Sequence, residues 1–142
     1  MANYEATTRS NYFRVKDAAA FEAWCTKYGV SFWTRQPAAT PNVKEYAITA
    51  DSGDGSGWPS QRWDDNSEDW EDLDYTTELA AHLAPDNIAI LLEIGNEKLR
   101  YLVGMATAIH PDGRTATVSL ADIYDRAQAM FGADVTITEA SW

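Results

Sequence analysis

The amino-acid sequence predicts an α+β domain built mainly on an antiparallel sheet, with about three helices. Three observations predict it. Short runs of β-forming residues alternate with stripes of helical period. Compact turn signals join successive strands, as antiparallel pairing allows. The 142 residues suit one domain, and no internal repeat or linker divides residues 1–142.

The elements follow in order. Residues 11–15, Asn-Tyr-Phe-Arg-Val, read as a first strand. Asp17 reads as a helix N-cap before three alanines. Phe21, Trp24, Cys25 and Tyr28 then fall on one helical stripe, and Gly29 ends the helix. Residues 30–35 alternate as a second strand, and 43–50 read as a third after the Pro37 and Pro41 loop. Residues 51–60 are loop by composition, and with the acidic run that follows they read as one acidic, Trp-containing loop segment over 51–78. Residues 76–83 read as a helix with Leu79, Ala80 and Leu83 inward, capped by Thr76 or Thr77. Residues 88–94 are apolar on both faces, as in a central buried strand. Gly95-Asn96-Glu97-Lys98 turns the chain into a long strand over 99–109, and Pro111-Asp112-Gly113 turns it again into 115–118. Ser119 and Asp122 make a near capping box. Leu120, Ile123, Tyr124, Ala127, Met130 and Phe131 form the inner stripe of a last helix, ended by Gly132, and 135–139 read as a final strand. The order β-α-β-β-α-β matches the start of ferredoxin-like domains, extended by a hairpin, a helix and a final strand.

Charge is the strongest functional signal. The chain carries 22 acidic and 11 basic residues, a net −11. Ten of the acids lie within residues 51–78, where Arg62 is the only base. This segment therefore carries −9, against −2 for the rest of the chain. Such a concentration repels itself and phosphates alike, so direct nucleic-acid binding is disfavoured and not expected, and a basic protein partner is favoured. A solvated loop that merely keeps the protein dispersed is the plain alternative. Trp58, Trp63 and Trp70 interleave with the acids, however, and exposed indoles are costly unless something covers them. The expected partner-binding residues are Asp64, Asp65, Glu68, Asp69, Trp70, Glu71, Asp72 and Asp74, with Trp63 and Trp58.

Catalysis finds little support. Cys25 with His82 or His110 invites a thiol-protease reading, yet Cys25 sits on the apolar helix stripe as a small hydrophobe would. His110 precedes Pro111 and reads as turn chemistry, and His82 as a rim residue of its helix. The acids lack the differing environments that split an acid–base pair. Asp51 and Asp54 lack the spacing of a calcium loop. No cofactor or metal is expected, and the chain reads as a non-enzyme. One cysteine cannot form an internal disulfide, which fits a reducing bacterial cytoplasm. Met1-Ala2-Asn3-Tyr4-Glu5 has no basic cap or apolar run, and no stretch nears the ~20 apolar residues of a membrane span.

Two blocks, Thr8-Arg-Ser-Asn-Tyr-Phe-Arg-Val-Lys-Asp17 and Glu93-Ile-Gly-Asn-Glu-Lys-Leu-Arg-Tyr-Leu-Val-Gly104, resemble small acidic proteins carried by phages, plasmids and integrative elements. Among these are anti-restriction and anti-CRISPR inhibitors, several of which imitate DNA. The resemblance implies an inhibitor that occupies the basic channel of a CRISPR effector or restriction enzyme. It carries no functional residue across, since both blocks read as strands. An immunity protein that neutralises a basic nuclease toxin fits the same charge, and an enzyme with an unrecognised site is the reading from another class.

Overall fold

The computed structural model describes residues 4–50, 57–59, 61–97 and 101–140. Their elements run β1 (Tyr4–Ser10), α1 (Ala18–Lys27), β2 (Val30–Arg35), β3 (Glu45–Ala50), β4 (Gln61–Asp64), β5 (Asp69–Asp72), α2 (Tyr75–His82), β6 (Ala89–Glu97), β7 (Tyr101–Ile109), β8 (Thr115–Ser119) and α3 (Asp122–Phe131). The class is α+β. One antiparallel sheet has the order β1-β6-β7-β8, β2 and β3 form a second, and β4 and β5 pair as a hairpin.

The first two sheets meet along a seam between β1 and β3. Side-chain hydroxyls replace much of the ladder there. Thr8 Oγ1 accepts from the Ala50 amide and Ser10 Oγ from the Ile48 amide, each at 2.8 Å. The Thr49 hydroxyl donates to the Thr8 carbonyl at 2.8 Å. Beyond the seam's end, Phe13 and Tyr46 exchange both backbone hydrogen bonds at 2.8 Å. Read across the seam, the strand order is β2-β3-β1-β6-β7-β8. Its first four members follow the ferredoxin-like plan, in which the third strand enters between the first and second. The β7 and β8 strands extend that sheet.

The core lies between α1, α2 and the sheets. Phe13, Phe21, Trp24, Cys25, Tyr46, Ile48, Leu79, Leu83, Leu91 and Ile109 fill it. The α1 helix forms as its sequence dictates. Asp17 Oδ1 accepts from the Ala20 amide at 3.1 Å, and Phe21, Trp24 and Cys25 turn inward. Gly29 then takes φ +65°, which a side chain would resist. Aromatic edges lock this stripe: Phe21 meets Phe13 at 5.7 Å and Tyr46 at 4.9 Å between ring centroids. Gly95 is needed for another reason, because a Cβ there would strike the Glu5 carbonyl oxygen across the β1–β6 pair.

Several expectations are corrected. The first ladder strand is residues 4–10, while 11–15 run extended between different partners. There Phe13 bonds Tyr46, Arg14 bonds the Asn87 side chain and Lys16 bonds His82, so no single ladder forms. The α2 cap is Asp74, whose carboxylate accepts from the Thr77 amide at 3.4 Å, rather than Thr76 or Thr77. A carboxylate at that end also gains from the helix dipole. Residues 61–72 form a hairpin where a loop was expected. Residues 135–139 make no strand, because β-forming side chains need a ladder partner and none lies beside them. Finally, the central β6 strand is buried on one face only, and the α3 stripe is exposed. The turn expected over 95–98 is corrected too, since Gly95, Asn96 and Glu97 belong to β6 and pair with β7; residues 98–100, and residues 51–56 and 60 of the expected glycine loop, lie outside the described residues. Among the described residues no helix is long and apolar enough to cross a membrane.

Candidate functional site

The acidic run folds into a β-hairpin. In its register Asp64 stands opposite Asp69, and Trp63 opposite Trp70. Residues 65–68, Asp-Asn-Ser-Glu, form the four-residue loop. Glu68 closes that loop at φ 53°, the only non-glycine positive φ among the described residues. A left-handed backbone costs an L-residue about 1–2 kcal/mol. Asp64 and Asp69 add to that cost, since like charges directly opposite on paired strands repel.

Local hydrogen bonds offset both terms. Asp64 Oδ1 accepts from the Asn66 amide at 3.0 Å, and Oδ2 from the Ser67 hydroxyl at 3.1 Å. Asp69 Oδ1 accepts from the Trp70 amide at 2.8 Å. Charge-assisted bonds of this kind are the stronger sort, and they fix carboxylates in place. At the base of the hairpin, Leu73 and Tyr75 are buried in the core and tie it to α2. The result is a held acidic projection.

The expected residues divide between two roles. Asp65, Glu68, Asp69, Trp70, Glu71 and Asp72 are exposed on the hairpin, and Asp64 is half-buried at its turn. Trp70 shows 61% of its surface. Asp74 is exposed but works as the α2 cap. Trp58 is drawn away from the surface. Its indole nitrogen donates to the Leu92 carbonyl at 3.2 Å, its amide donates to Glu93 at 2.9 Å, and its ring packs 5.6 Å from Tyr75. It pins its loop to the body. The Trp63 side chain lies outside the described part of the structure. Asn66 and Ser67, which orient Asp64, are the members that charge counting overlooks. Their signal is two turn formers midway between two tryptophans.

The remaining chemistry is structural. Cys25 is fully buried, and burial pushes its thiol up to about 12, so it stays protonated. His82 packs edgewise on Phe21 and beside Trp24, and burial lowers its pKa. His110 sits in the β7–β8 turn with Nδ1 2.9 Å from the Asp112 carboxylate. The Arg114 amide and side chain hold that carboxylate below its ordinary range. No group of three potential metal ligands occurs among the described residues. Asp51 and Asp54 lie outside them. No protein-family model, curated protein or solved structure matches the chain.

Proposed function

We propose that the acidic hairpin is the binding surface of an inhibitor, and that it occupies the basic channel of a bacterial nucleic-acid-handling defence protein. One observation carries the reading. Asp64 and Asp69 are set opposite each other on a hairpin whose turn holds the left-handed Glu68, and both carboxylates are fixed by donors. A loop that served only dispersion has no use for a fixed, self-repelling array. Carboxylates two residues apart on a strand are about 7 Å apart. DNA carries a charge every ~3.4 Å of axis on each strand, so the carboxylates stand at about twice that axial rise, a difference that long, flexible arginine and lysine side chains span. Arginines and lysines that release counterions for phosphate do so for this surface too. Trp70 stands 61% exposed among these carboxylates, and tryptophan is enriched at binding hot spots. Blockade is steric and electrostatic, without turnover.

The test replaces Asp64, Asp65, Glu68, Asp69, Glu71 and Asp72 with Asn or Gln. The partner is first identified by pull-down from bacterial lysate and mass spectrometry. The variant is expected to fold and to lose affinity by orders of magnitude. A folded variant with undiminished binding refutes the proposal. In the native complex, added salt is expected to slow association strongly and dissociation little, because screening at about 8 Å erases long-range steering first. A nuclease toxin as the captured partner would turn the reading to immunity, with the same surface at work.

A further inference from the structure

A second surface is apolar and lies elsewhere. The face of the β1-β6-β7-β8 sheet opposite the core is open. Leu92, Ile94, Leu102 and Val118 stand on it, with Ile94 68% and Leu102 71% exposed. Over β1, β6 and the start of β7 lies a shallow groove of about 830 Å³, lined by Thr7, Arg9, Leu92, Ile94, Asn96 and Leu102 among others. The same chain carries a surface of matching character. The α3 helix buries no residue, and Ile123, Met130 and Phe131 are 60%, 80% and 65% exposed.

We infer that two copies of this chain associate about a two-fold axis, each laying its α3 across the open sheet face of the other. Surface area argues for a missing partner. A folded monomer of 15.8 kDa exposes about 7,300 Å² by the usual mass scaling, whereas this chain exposes 9584 Å². The excess is on the order of 2,300 Å², enough for an obligate homodimer, which buries ~2,000–5,000 Å² in total. Geometry argues that the partner is a copy. The α3 stripe and the sheet face are both apolar and exposed, and an isologous pair covers both halves twice with one contact. Within one chain only Leu120, at the start of the stripe, reaches this face, and the rest of the α3 stripe stays exposed. Leu120 is held by its amide on the Gly104 carbonyl at 3.0 Å, and its side chain fills the space a Cβ on Gly104 would take. The Ser119 amide bonds Asp122 at 2.7 Å, which sets the direction in which α3 departs.

The surface is independent of the acidic hairpin, none of whose residues lines the groove. The native protein at tens of micromolar is measured by sedimentation equilibrium. The expected mass is twice 15.8 kDa; a monomer overturns the proposal. Ile94→Asp and Met130→Asp strike opposite halves of the contact. Each is expected to give a monomer of unchanged circular dichroism, and a folded dimer in either overturns it. A covalent readout holds even where an aspartate variant fails to fold. Ile94→Cys and Phe131→Cys are combined in a Cys25→Ala chain and treated with a short flexible bis-maleimide. The expected product is a cross-linked pair of chains on a denaturing gel. A product confined within one chain, or none, overturns the proposal.

Discussion

The α1 and α3 helices are both ten residues long, and both present an apolar stripe, yet only α1 is covered. The α1 stripe meets Phe13, Tyr46 and Tyr75 from three other parts of the chain. Among the described residues the α3 stripe is mostly exposed: Leu120 packs on Gly104 of β7, and the Tyr124 hydroxyl accepts from the Ala140 amide at 2.9 Å, while Ile123, Met130 and Phe131 stay open. A stripe therefore states that a helix needs cover. It does not state which chain supplies it.

The sharpest way to break this contrast is to truncate one phenylalanine on each helix. Phe21→Ala is expected to cost about 3–5 kcal/mol, because Phe21 is fully buried and leaves a cavity. Phe131→Ala, in the Ile94→Asp background where α3 has no partner, is expected to change stability by no more than ~0.5 kcal/mol. Urea unfolding measures both, and equal losses would place α3 in a core of its own chain.

A smaller effect follows from Cys25, on the α1 stripe. Its thiol titrates at about 12 in the folded protein against an ordinary 9.0. Above pH 9 the unfolded chain loses this proton while the folded one keeps it. Folded stability then falls with rising pH, by up to about 1.4 kcal/mol per unit until the folded thiol titrates. The midpoint of unfolding, followed from pH 8 to 11, is expected to fall more steeply in the native protein than in Cys25→Ala. Parallel curves would mean that α1 is open to water.

The carboxylates at the two helix starts separate them more gently: Asp17 caps α1, whereas α3 has Ala121 at its N-cap and Asp122 reaches back to the Ser119 amide. Asp17→Ala is expected to cost about 1 kcal/mol, as loss of a side-chain cap usually does. Asp122→Ala in the same monomeric background is expected to leave global unfolding unchanged and to raise amide exchange in α3 alone. An isolated helix needs ~12–15 residues to hold itself, and α3 has ten. The smallest effect belongs to His82, packed on Phe21 and Trp24. Burial favours its neutral form, so the unfolded chain takes up a proton first as pH falls below 6.5. Stability is expected to decline there slightly more in the native protein than in His82→Gln, as measured by chemical denaturation at pH 7 and pH 5.5.

Much of the fold was legible because local signals and packing agree. Asp17, the stripe from Phe21 to Cys25 and the positive φ of Gly29 each do what their residue types favour. The turn at Pro111-Asp112-Gly113 is another such case. Legibility failed where side-chain type and neighbourhood diverge. Asp and Glu are poor strand formers, so residues 61–72 conceal a hairpin that the Asn66-Ser67 turn and its paired tryptophan positions alone betray. Thr136 and Ile137 favour a strand but have no edge to join. The candidate site was legible as charge, through Asp64 to Asp72. Its shape was hidden, because register is a property of two strands and Glu68 has no sequence mark of its left-handed turn.

The hydroxyl seam gives the sheet a perforation. The amides of Ile48 and Ala50 donate to oxygens that rotate on single bonds, whereas their counterparts in the β6–β7 pair donate to carbonyls fixed in a ladder. A sheet pulled apart along its width tears where its stitching is side chain rather than main chain. Load applied across the strands would part β3 from β1 before β1 from β6. The helices rest on both sides of that line, so the seam is the fold's place to yield without unravelling.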